Sequence, residues 1–317
     1  MKRLLLIMPN YYGFDDVVID VLKKYSNCEV YNINYDVGFK YENLQQRLLN
    51  AFSKTILRKN LKPVLKEKFF YRQICNYDAF DYVIVNRPDI IPTYILDEAI
   101  HKSKNSVLLL WDSLAKIPVD VEVIKKFDNV FSFDSDDCLN NGFEKIHNFH
   151  FASLFEEEDS LEYDAIYLGT IDDRIADLQL LMKYLTTNDK RVHAFLHRPK
   201  ERKFQMFENV TILRKIVPFR KADLFSRKSK IVIDLAHKNQ DGLSFRFFEA
   251  MILKKKVITT NQTVRNFDFY SSDNIHVIDD IENISIPESF FQNPYKQLSS
   301  DIVAKYSAET WVNTLLK

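Results

Sequence analysis

The chain has 317 residues, of which 46% are hydrophobic, and this length predicts two domains with substantial cores. Its 44 Lys and Arg balance 44 Asp and Glu, so the net charge of zero argues against a nucleic-acid-binding protein. Only five residues are glycine. Neither the glycine fingerprint of dinucleotide-binding proteins nor a P-loop signature occurs, which removes support for both classes. The three cysteines are odd in number and far apart, which predicts no disulfide framework and fits a reducing cytoplasm.

The first half of the chain alternates short apolar runs with amphipathic segments, which predicts a parallel sheet covered by helices. The predicted strands are Leu4–Met8, Glu29–Ile33, Tyr82–Asn86, Val107–Trp111 and Val130–Phe133. The predicted helices are a segment capped by Asp15 or Asp16 that ends near Tyr25, a segment from Tyr41 to Cys75 interrupted at Pro63, Ile95–Lys102, Val119–Phe127, and a short helix capped by Ser135. The basic start of the chain has an apolar run too short for a signal peptide, and no run is long enough to span a membrane.

A second alternating series follows an acidic stretch, residues 149–163, which we interpret as the interdomain linker. The predicted strands are Ala165–Leu168, Val192–Leu196, Val210–Leu213, Ile231–Leu235, Val257–Thr260 and Ile275–Ile278. The predicted helices are Asp173–Leu185, Arg220–Arg227, a helix whose inward face carries Phe245, Phe248 and Ile252, and the terminal helix Ser299–Leu316.

The stretch from Ile231 to Asn261 is the most informative, because its strand–loop–helix–strand pattern predicts a βαβ unit. The natural ligand position of such a unit lies beyond the strand ends, at the helix N-terminus. Polar side chains gather there: His237, Gln240, Asp241, Ser244, Arg246 and Glu249. Arg246 and Glu249 are three residues apart, so they share a helix face. Two interpretations are open. The two side chains bind a phosphorylated sugar, or they form a solvated ion pair on a surface helix whose N-cap is an Asp.

Three further groups of residues follow predicted strands and are candidates for ligand contact. Gly169 and Thr170 end the first strand of the second series, and Arg174 lies where it can reach a phosphate. An aromatic pair that can stack on a sugar follows the first strand, in the group Tyr11, Tyr12, Gly13 and Asp15. Asp112 follows a strand, as does His197. For each group the alternative is a packed turn, a helix cap or a surface side chain. Neither His197 nor His237 has a spaced metal-ligand partner, so we expect no metal site.

A basic stretch, Lys54–Arg72, holds seven Lys or Arg and one Glu with apolar residues interleaved. Such a pattern suits an anionic membrane surface or a lipid-pyrophosphate acceptor. The alternative is a solvated helix face.

The Ile231–Asn261 stretch resembles the donor-site motif of GT-B glycosyltransferases. Retaining members have a carboxylate, seven residues and then a helical Glu, and Asp241 and Glu249 stand at that separation. The string is more similar still to a bacterial capsule and lipopolysaccharide glycosyltransferase group. The matching positions are Gln240, Gly242, Leu243, Ser244, Arg246, Glu249 and Ile258–Asn261. The chain departs from the broader motif at Asp241, where Glu is usual, and at Ser244 and Lys254, where glycines are common.

This resemblance implies a GT-B fold of two Rossmann-like domains with a cleft between them: an acceptor domain (1–155), a nucleotide-sugar donor domain (156–298) and a C-terminal helix (299–317) that packs back on the first domain. It implies that Glu249 binds the ribose, that Asp241 holds sugar hydroxyls, and that Arg246 neutralises the departing diphosphate without a metal. The remaining donor-binding residues would be Gly169, Thr170, Arg174, His197, His237, Gln240, Gly242, Leu243 and Ser244. The acceptor-binding residues would be Tyr11, Tyr12, Gly13, Asp15 and Asp112.

The predicted function is therefore a cytoplasmic, membrane-peripheral, retaining glycosyltransferase that builds a bacterial surface glycan. Its partners would be a nucleotide-sugar donor and a glycan or lipid-linked acceptor, with no cofactor and no nucleic acid. Two alternatives stay open: a GT-B-fold sugar-nucleotide epimerase, and a non-catalytic GT-B-like binding subunit.

Overall fold

The computed structural model describes residues 1–151, 161–199, 205–237 and 242–317. By its internal contacts the chain divides into two compact units. The N-terminal unit comprises Met1–Tyr11, Asp15–Lys145 and Leu315–Lys317, and the C-terminal unit comprises Tyr12–Phe14 and Ile146–Thr314.

The N-terminal unit contains a six-stranded parallel sheet. Its strands are β1 (Lys2–Ile7), β2 (Cys28–Ile33), β3 (Phe80–Val85), β4 (Ser103–Leu110), β5 (Asn129–Ser132) and β6 (Glu144–Lys145), in the order β2-β1-β3-β4-β5-β6. Its helices are α1 (Phe14–Tyr25, whose first residue belongs to the other unit), α2 (Leu44–Ile56), α3 (Lys62–Cys75), α4 (Thr93–His101), α5 (Val121–Ile124) and α6 (Ser135–Asn141). Leu4 pairs with Val30 on one side and with Tyr82 on the other, so β1 has a neighbouring strand on each side from Leu4 to Ile7. Leu4–Ile7 of β1 is accordingly a continuous apolar run, as in buried parallel strands.

The C-terminal unit contains a second six-stranded parallel sheet. Its strands are β7 (Tyr163–Thr170), β8 (Val192–His197), β9 (Val210–Leu213), β10 (Ser229–Asp234), β11 (Lys256–Thr259) and β12 (Ile275–Val277). The helices are α7 (Ile175–Thr187), α8 (Asp223–Ser226), α9 (Phe245–Ile252), α10 (Glu288–Gln292), α11 (Ser300–Lys305) and α12 (Ala308–Leu315). The strand order β9-β8-β7-β10-β11-β12 is the doubly wound Rossmann order, which reverses direction between β7 and β10.

Several predicted helix limits are wrong for identifiable reasons. Asp15 does not cap α1 but lies inside its first turn, because the helix already begins at Phe14. The cap of α6 is Asp134, whose carboxylate accepts a hydrogen bond from the Asp137 N–H. The predicted terminal helix is two helices, because α11 ends at Lys305 with Tyr306 as its C-cap, and α12 starts at Ala308. Pro63 lies in the first turn of α3, where its missing N–H costs nothing.

The described start of the predicted linker belongs to the core of the C-terminal unit. Phe149 is 1% exposed, and its ring lies 4.6 Å from that of Trp311 and 5.5 Å from that of Phe245. Phe14 joins the same aromatic cluster, 4.6 Å from Phe245. These rings cover one side of α9, while Phe247 and Phe248 pack into a core with Val232 and Val257 of the sheet. The helix is therefore enclosed on both sides. For this reason α9 has more buried residues than the single apolar face that the sequence predicted.

Candidate active site

The candidate site lies at the carboxyl ends of β7 and β10, where the strand order of the C-terminal sheet reverses. Loops from adjacent strands diverge at such a switch point and leave a crevice for a ligand. β10 ends at Asp234, and the segment after β7 carries Asp172 and Arg174. Helix α9, which follows β10, starts with Ser244 as its cap and carries Arg246 and Glu249 in its first turns.

Asp234 connects the end of β10 to the start of α9. Its carboxylate accepts a hydrogen bond of 2.5 Å from the Ser244 hydroxyl and one of 3.5 Å from the Thr259 hydroxyl. Burial raises the pKa of Asp234, while the Ser244 hydrogen bond and the charges of Arg174 and Arg246 oppose that rise. Ser244 in turn accepts from the Arg246 N–H at 3.2 Å. The strand end and the helix cap are thus held as one hydrogen-bonded group.

Arg174 bridges the two strands at the switch point. Its guanidinium donates to both oxygens of Asp172, at 3.0 Å from Nε and 2.6 Å from Nη2, and its Nη1 donates to the Leu235 carbonyl at 2.9 Å. Burial alone would raise the pKa of Asp172, but the hydrogen bonds from Arg174 outweigh it and lower that pKa. A bidentate, half-buried guanidinium of this kind is oriented rigidly, as phosphate recognition requires.

Arg246 and Glu249 form the pair that their spacing predicted, but not on the surface. Arg246 Nη1 lies 2.9 Å from each Glu249 oxygen. The Glu249 side chain is only 7% exposed, against 20% for Arg246, and it also accepts a hydrogen bond from the Ser226 hydroxyl of α8. The alternative of a solvated surface pair behind an Asp cap is therefore wrong, since the carboxylate is buried and the cap is Ser244.

Tyr167, on β7, lies within electrostatic reach of these charged groups. Burial raises its pKa to about 12, and Arg174, Asp172, Asp234 and Arg246 all act on it electrostatically. Its ring also explains Gly169: a Cβ there would lie 2.7 Å from the Tyr167 ring and hydroxyl. Any larger residue at position 169 would therefore force the Tyr167 side chain of the same strand to move.

The remaining predicted donor residues lie around this switch point to different degrees. Thr170 and His197 are register partners at the ends of β7 and β8. His197 Nδ1 is buried and has no hydrogen-bond partner within the described ranges. His237 is exposed and lowers the pKa of Asp172 through its charge. These three side chains end or follow strands of the C-terminal sheet and border the site.

The segment before α9 is fixed through its backbone. The Leu243 carbonyl accepts from the Asn148 side chain at 2.8 Å, and the Gly242 carbonyl accepts from Asn261 at 3.4 Å. The Leu243 side chain is buried in the core. Gln240 and Asp241 lie outside the described residues, so their predicted roles stay predictions.

In the N-terminal unit, the sheet reverses between β1 and β3, and the predicted acceptor residue Tyr11 lies there. Its hydroxyl accepts from Arg87 Nη1 at 3.0 Å, while Arg87 makes a bidentate pair with Asp89. Burial raises the pKa of Tyr11 against the effect of Arg87, and Asp112 adds to the rise. Tyr11 and Asp112 are therefore near enough to interact electrostatically, and Asp112 also pairs with Lys116 at 2.7 Å.

The other predicted acceptor residues have distinct environments. Asp15 is buried and accepts from Asn34 at 2.5 Å, and its second oxygen has no hydrogen-bond partner among the described residues. Tyr12 and Gly13 belong to the C-terminal unit, both with positive φ. The Tyr12 carbonyl accepts from the Phe219 N–H at 2.9 Å, and the Tyr12 side chain is exposed.

Four residues of the candidate site escaped the sequence interpretation: Tyr167, Asp172, Ser226 and Asp234. Asp234 carried a usable signal, because an ionisable residue closing an otherwise apolar strand must have partners. Asp172 lies two residues before Arg174 and could have been paired with it. Ser226 is distant in sequence from Glu249, so only the tertiary structure brings them together.

Among the described residues, no helix is both long enough and apolar enough to cross a membrane. No protein-family model matches the chain, and no curated protein sequence matches it.

Solved structures do match over nearly the whole chain. Anabaena HepE, crystallised with UDP and glucose, is 12% identical, with 99% of this chain and 95% of that chain covered and a TM-score of 0.54. The UDP-GlcNAc 2-epimerase of Methanocaldococcus jannaschii is 12% identical, with 99% of both chains covered and a TM-score of 0.50. A glycosyltransferase from Rickettsia africae is 11% identical, covers 100% and 94%, and has a TM-score of 0.49. At such identities the first two likenesses show the fold alone, which is the predicted GT-B fold of two Rossmann-like domains.

Proposed function

We propose that the protein is a glycosyltransferase that moves a sugar from a nucleotide-sugar donor to a growing bacterial surface glycan. The donor binds at the carboxyl ends of β7 and β10, and the acceptor is a glycan or a lipid-linked saccharide. The reaction takes place in the cytoplasm, needs no metal ion, and retains the configuration of the sugar.

One observation carries this proposal: two arginines, each held by a buried or half-buried carboxylate, flank the switch point of a Rossmann sheet. A nucleoside diphosphate is the leaving group of such a transfer, and its charge grows as the sugar departs. Guanidinium groups held in place beforehand stabilise that charge without reorganising. The capped N-terminus of α9 adds the positive end of a helix dipole.

The two carboxylates then have separate roles. Asp172 orients Arg174. Glu249 accepts hydrogen bonds and can bind a ribose hydroxyl through an oxygen that it now shares with Arg246. Ser226 holds the other Glu249 oxygen in place. Asp241 and the backbone before α9 contact the sugar hydroxyls. Likeness to HepE, whose structure contains UDP and glucose, supports a nucleotide-sugar as the ligand.

A sugar-nucleotide epimerase is the second candidate function. Similarity to the Methanocaldococcus jannaschii epimerase supports it at a comparable TM-score, and Asp15 offers a buried carboxyl whose pKa burial raises. An epimerase changes the nucleotide-sugar in the absence of any acceptor. Nuclear magnetic resonance of each candidate nucleotide-sugar incubated with the protein alone therefore separates the two functions.

The donor site is tested by thermal-shift screening against UDP, GDP, ADP, CMP and their sugars, followed by titration calorimetry of the best ligand. A ligand at about 100 times its dissociation constant stabilises the folded state by ~2.7 kcal/mol, which is readily measured. We expect Arg246→Met to weaken binding at least tenfold, since hydrogen bonds to charged groups contribute about 1.5–3 kcal/mol.

Arg191→Met is the matched control. Arg191 pairs with Asp164 in the same unit, but at the opposite, amino-terminal edge of the sheet. The Arg191→Met variant should bind the ligand with an affinity within about twofold of that of the wild type. Equal affinity of the wild type and Arg246→Met would refute the diphosphate role.

A further inference from the structure

Helix α2 presents its apolar side chains to solvent. Leu44, Leu48, Leu49, Phe52 and Ile56 are between 56% and 67% exposed. Four of them recur at intervals of four residues, so they form a stripe along one face. We call these five residues the α2 apolar face. Scattered exposed apolar residues are ordinary, but a continuous helical stripe marks an interaction surface.

The orientation of this helix is fixed by polar contacts on its opposite side. Asn50 and Ser53 are its buried residues. Asn50 donates to the Tyr41 hydroxyl at 2.9 Å and accepts from the Leu61 N–H at 2.7 Å. Ser53 donates to the Lys59 carbonyl at 2.8 Å. The helix is therefore attached through hydrogen bonds to its flanking loops, and turning the leucines inward would break them.

The segment that carries this face is mainly basic, although Glu42 precedes it and accepts a hydrogen bond from Gln46 of α2 at 2.8 Å. From Asn43 to Lys66 the chain has six Lys or Arg and no Asp or Glu, although its net charge overall is zero. The basic residues are Arg47, Lys54, Arg58, Lys59, Lys62 and Lys66. Lys54 and Arg47 lie on α2 itself and are exposed. An apolar stripe bordered by cations matches an anionic lipid surface, which offers phosphates at the level of the cations and acyl chains beneath.

We propose that the α2 apolar face docks on an anionic phospholipid bilayer, with its leucines in the headgroup–acyl boundary and the basic residues on lipid phosphates. A second copy of this chain is a poorer occupant. A symmetric pairing would place both sets of cations against each other, and like charges across an interface oppose association. This inference is independent of the proposed donor site. It concerns the surface on which the protein acts.

The test is co-sedimentation of the full chain with vesicles of phosphatidylcholine alone or mixed with phosphatidylglycerol. The wild type should bind the mixed vesicles, and binding should weaken as salt rises. Leu44→Ser with Leu48→Ser should reduce the partition coefficient at least tenfold. The matched control is Leu139→Ser with Leu180→Ser, two exposed leucines on other helices, which should bind as wild type.

A charge arm completes the experiment. Arg47→Gln with Lys54→Gln should weaken binding about tenfold or more, while Lys23→Gln with Lys183→Gln, exposed on other helices, should not. Failure of the wild type to bind mixed vesicles overturns the proposal. So does a wild-type dimer that Leu44→Ser with Leu48→Ser converts to a monomer in light scattering. Nucleotide-sugar thermal shifts should be unchanged in all these variants, so the donor site is judged separately.

Discussion

The buried pair of Arg246 and Glu249 leads to a quantitative prediction that separates it from a surface ion pair. Arg246→Met removes the guanidinium but keeps the apolar stem, and Glu249→Gln keeps the shape of the side chain but removes its charge. Each single substitution leaves the other charge in a largely buried position. Such an uncompensated charge costs about 3–5 kcal/mol when burial is complete. Because the Arg246 side chain is 20% exposed, solvent reduces the expected cost to about 2–4 kcal/mol for each variant.

The double variant should cost less than the two single costs together, because neither charge is then left alone. We expect a coupling energy of about 1.5–3 kcal/mol, within the range of contacting residues in one network. A solvated pair at this helical spacing would give about 0.5 kcal/mol or less. The size of the coupling therefore reports directly on the burial of Glu249.

The assay is urea unfolding of the full chain, with a fluorescence signal that reports on the C-terminal unit alone. Trp111 lies in the N-terminal unit, and Trp311 is 4% exposed in the C-terminal unit. A Trp111→Phe background leaves Trp311 as the fluorescent probe, which avoids mixing the transitions of two domains. Additive single effects, within about 0.5 kcal/mol, would refute the assignment of a buried, coupled pair.

Two other predictions concern the same switch point. Gly169→Ala should destabilise the protein by about 1–3 kcal/mol, since the new Cβ meets the buried Tyr167 ring. Urea unfolding of Gly169→Ala in the wild-type and Tyr167→Ala backgrounds measures this cost, which should largely vanish in the second background. Asp234→Asn should raise the melting temperature near neutral pH. Burial raises the pKa of Asp234. The stabilisation that this carboxyl gives the folded state is therefore fully present below its unfolded-state pKa and is lost as pH rises through its folded-state pKa. The difference between Asp234→Asn and wild type should therefore shrink on acidification in thermal scans from neutral to acidic pH, and a difference that grows instead contradicts the role of burial.

Much of the local structure followed from the sequence because it depends on short-range pattern. Apolar β-branched runs predicted eleven of the strands within a few residues, and the polar loop before Phe245 predicted the helix of the βαβ unit. Among the strands of the described residues, the sequence missed β6, Glu144–Lys145, two exposed residues without an apolar signal. Arg246 and Glu249 were also predicted to meet, because their spacing places them on one helix face.

Other features required the tertiary structure. A spacing of three residues is equally compatible with a solvated and a buried pair, and only the packing of α8 and the aromatic cluster around α9 decided for burial. The sequence predicted a helical segment from Tyr41 to Cys75, but a helical pattern does not say whether the apolar face of α2 points inward. Polar contacts of Asn50 and Ser53 decided that it points outward.

By itself, the sequence determined the succession of strands and helices and the chemical groups available at the strand ends. It did not determine which strands are neighbours. Hydrogen bonding between strands distant in the chain placed β7 beside β10, and so brought Arg174 and Asp234 to one switch point. The physical reason is that side-chain periodicity is a local property of the chain, whereas strand order and burial arise from contacts between distant segments.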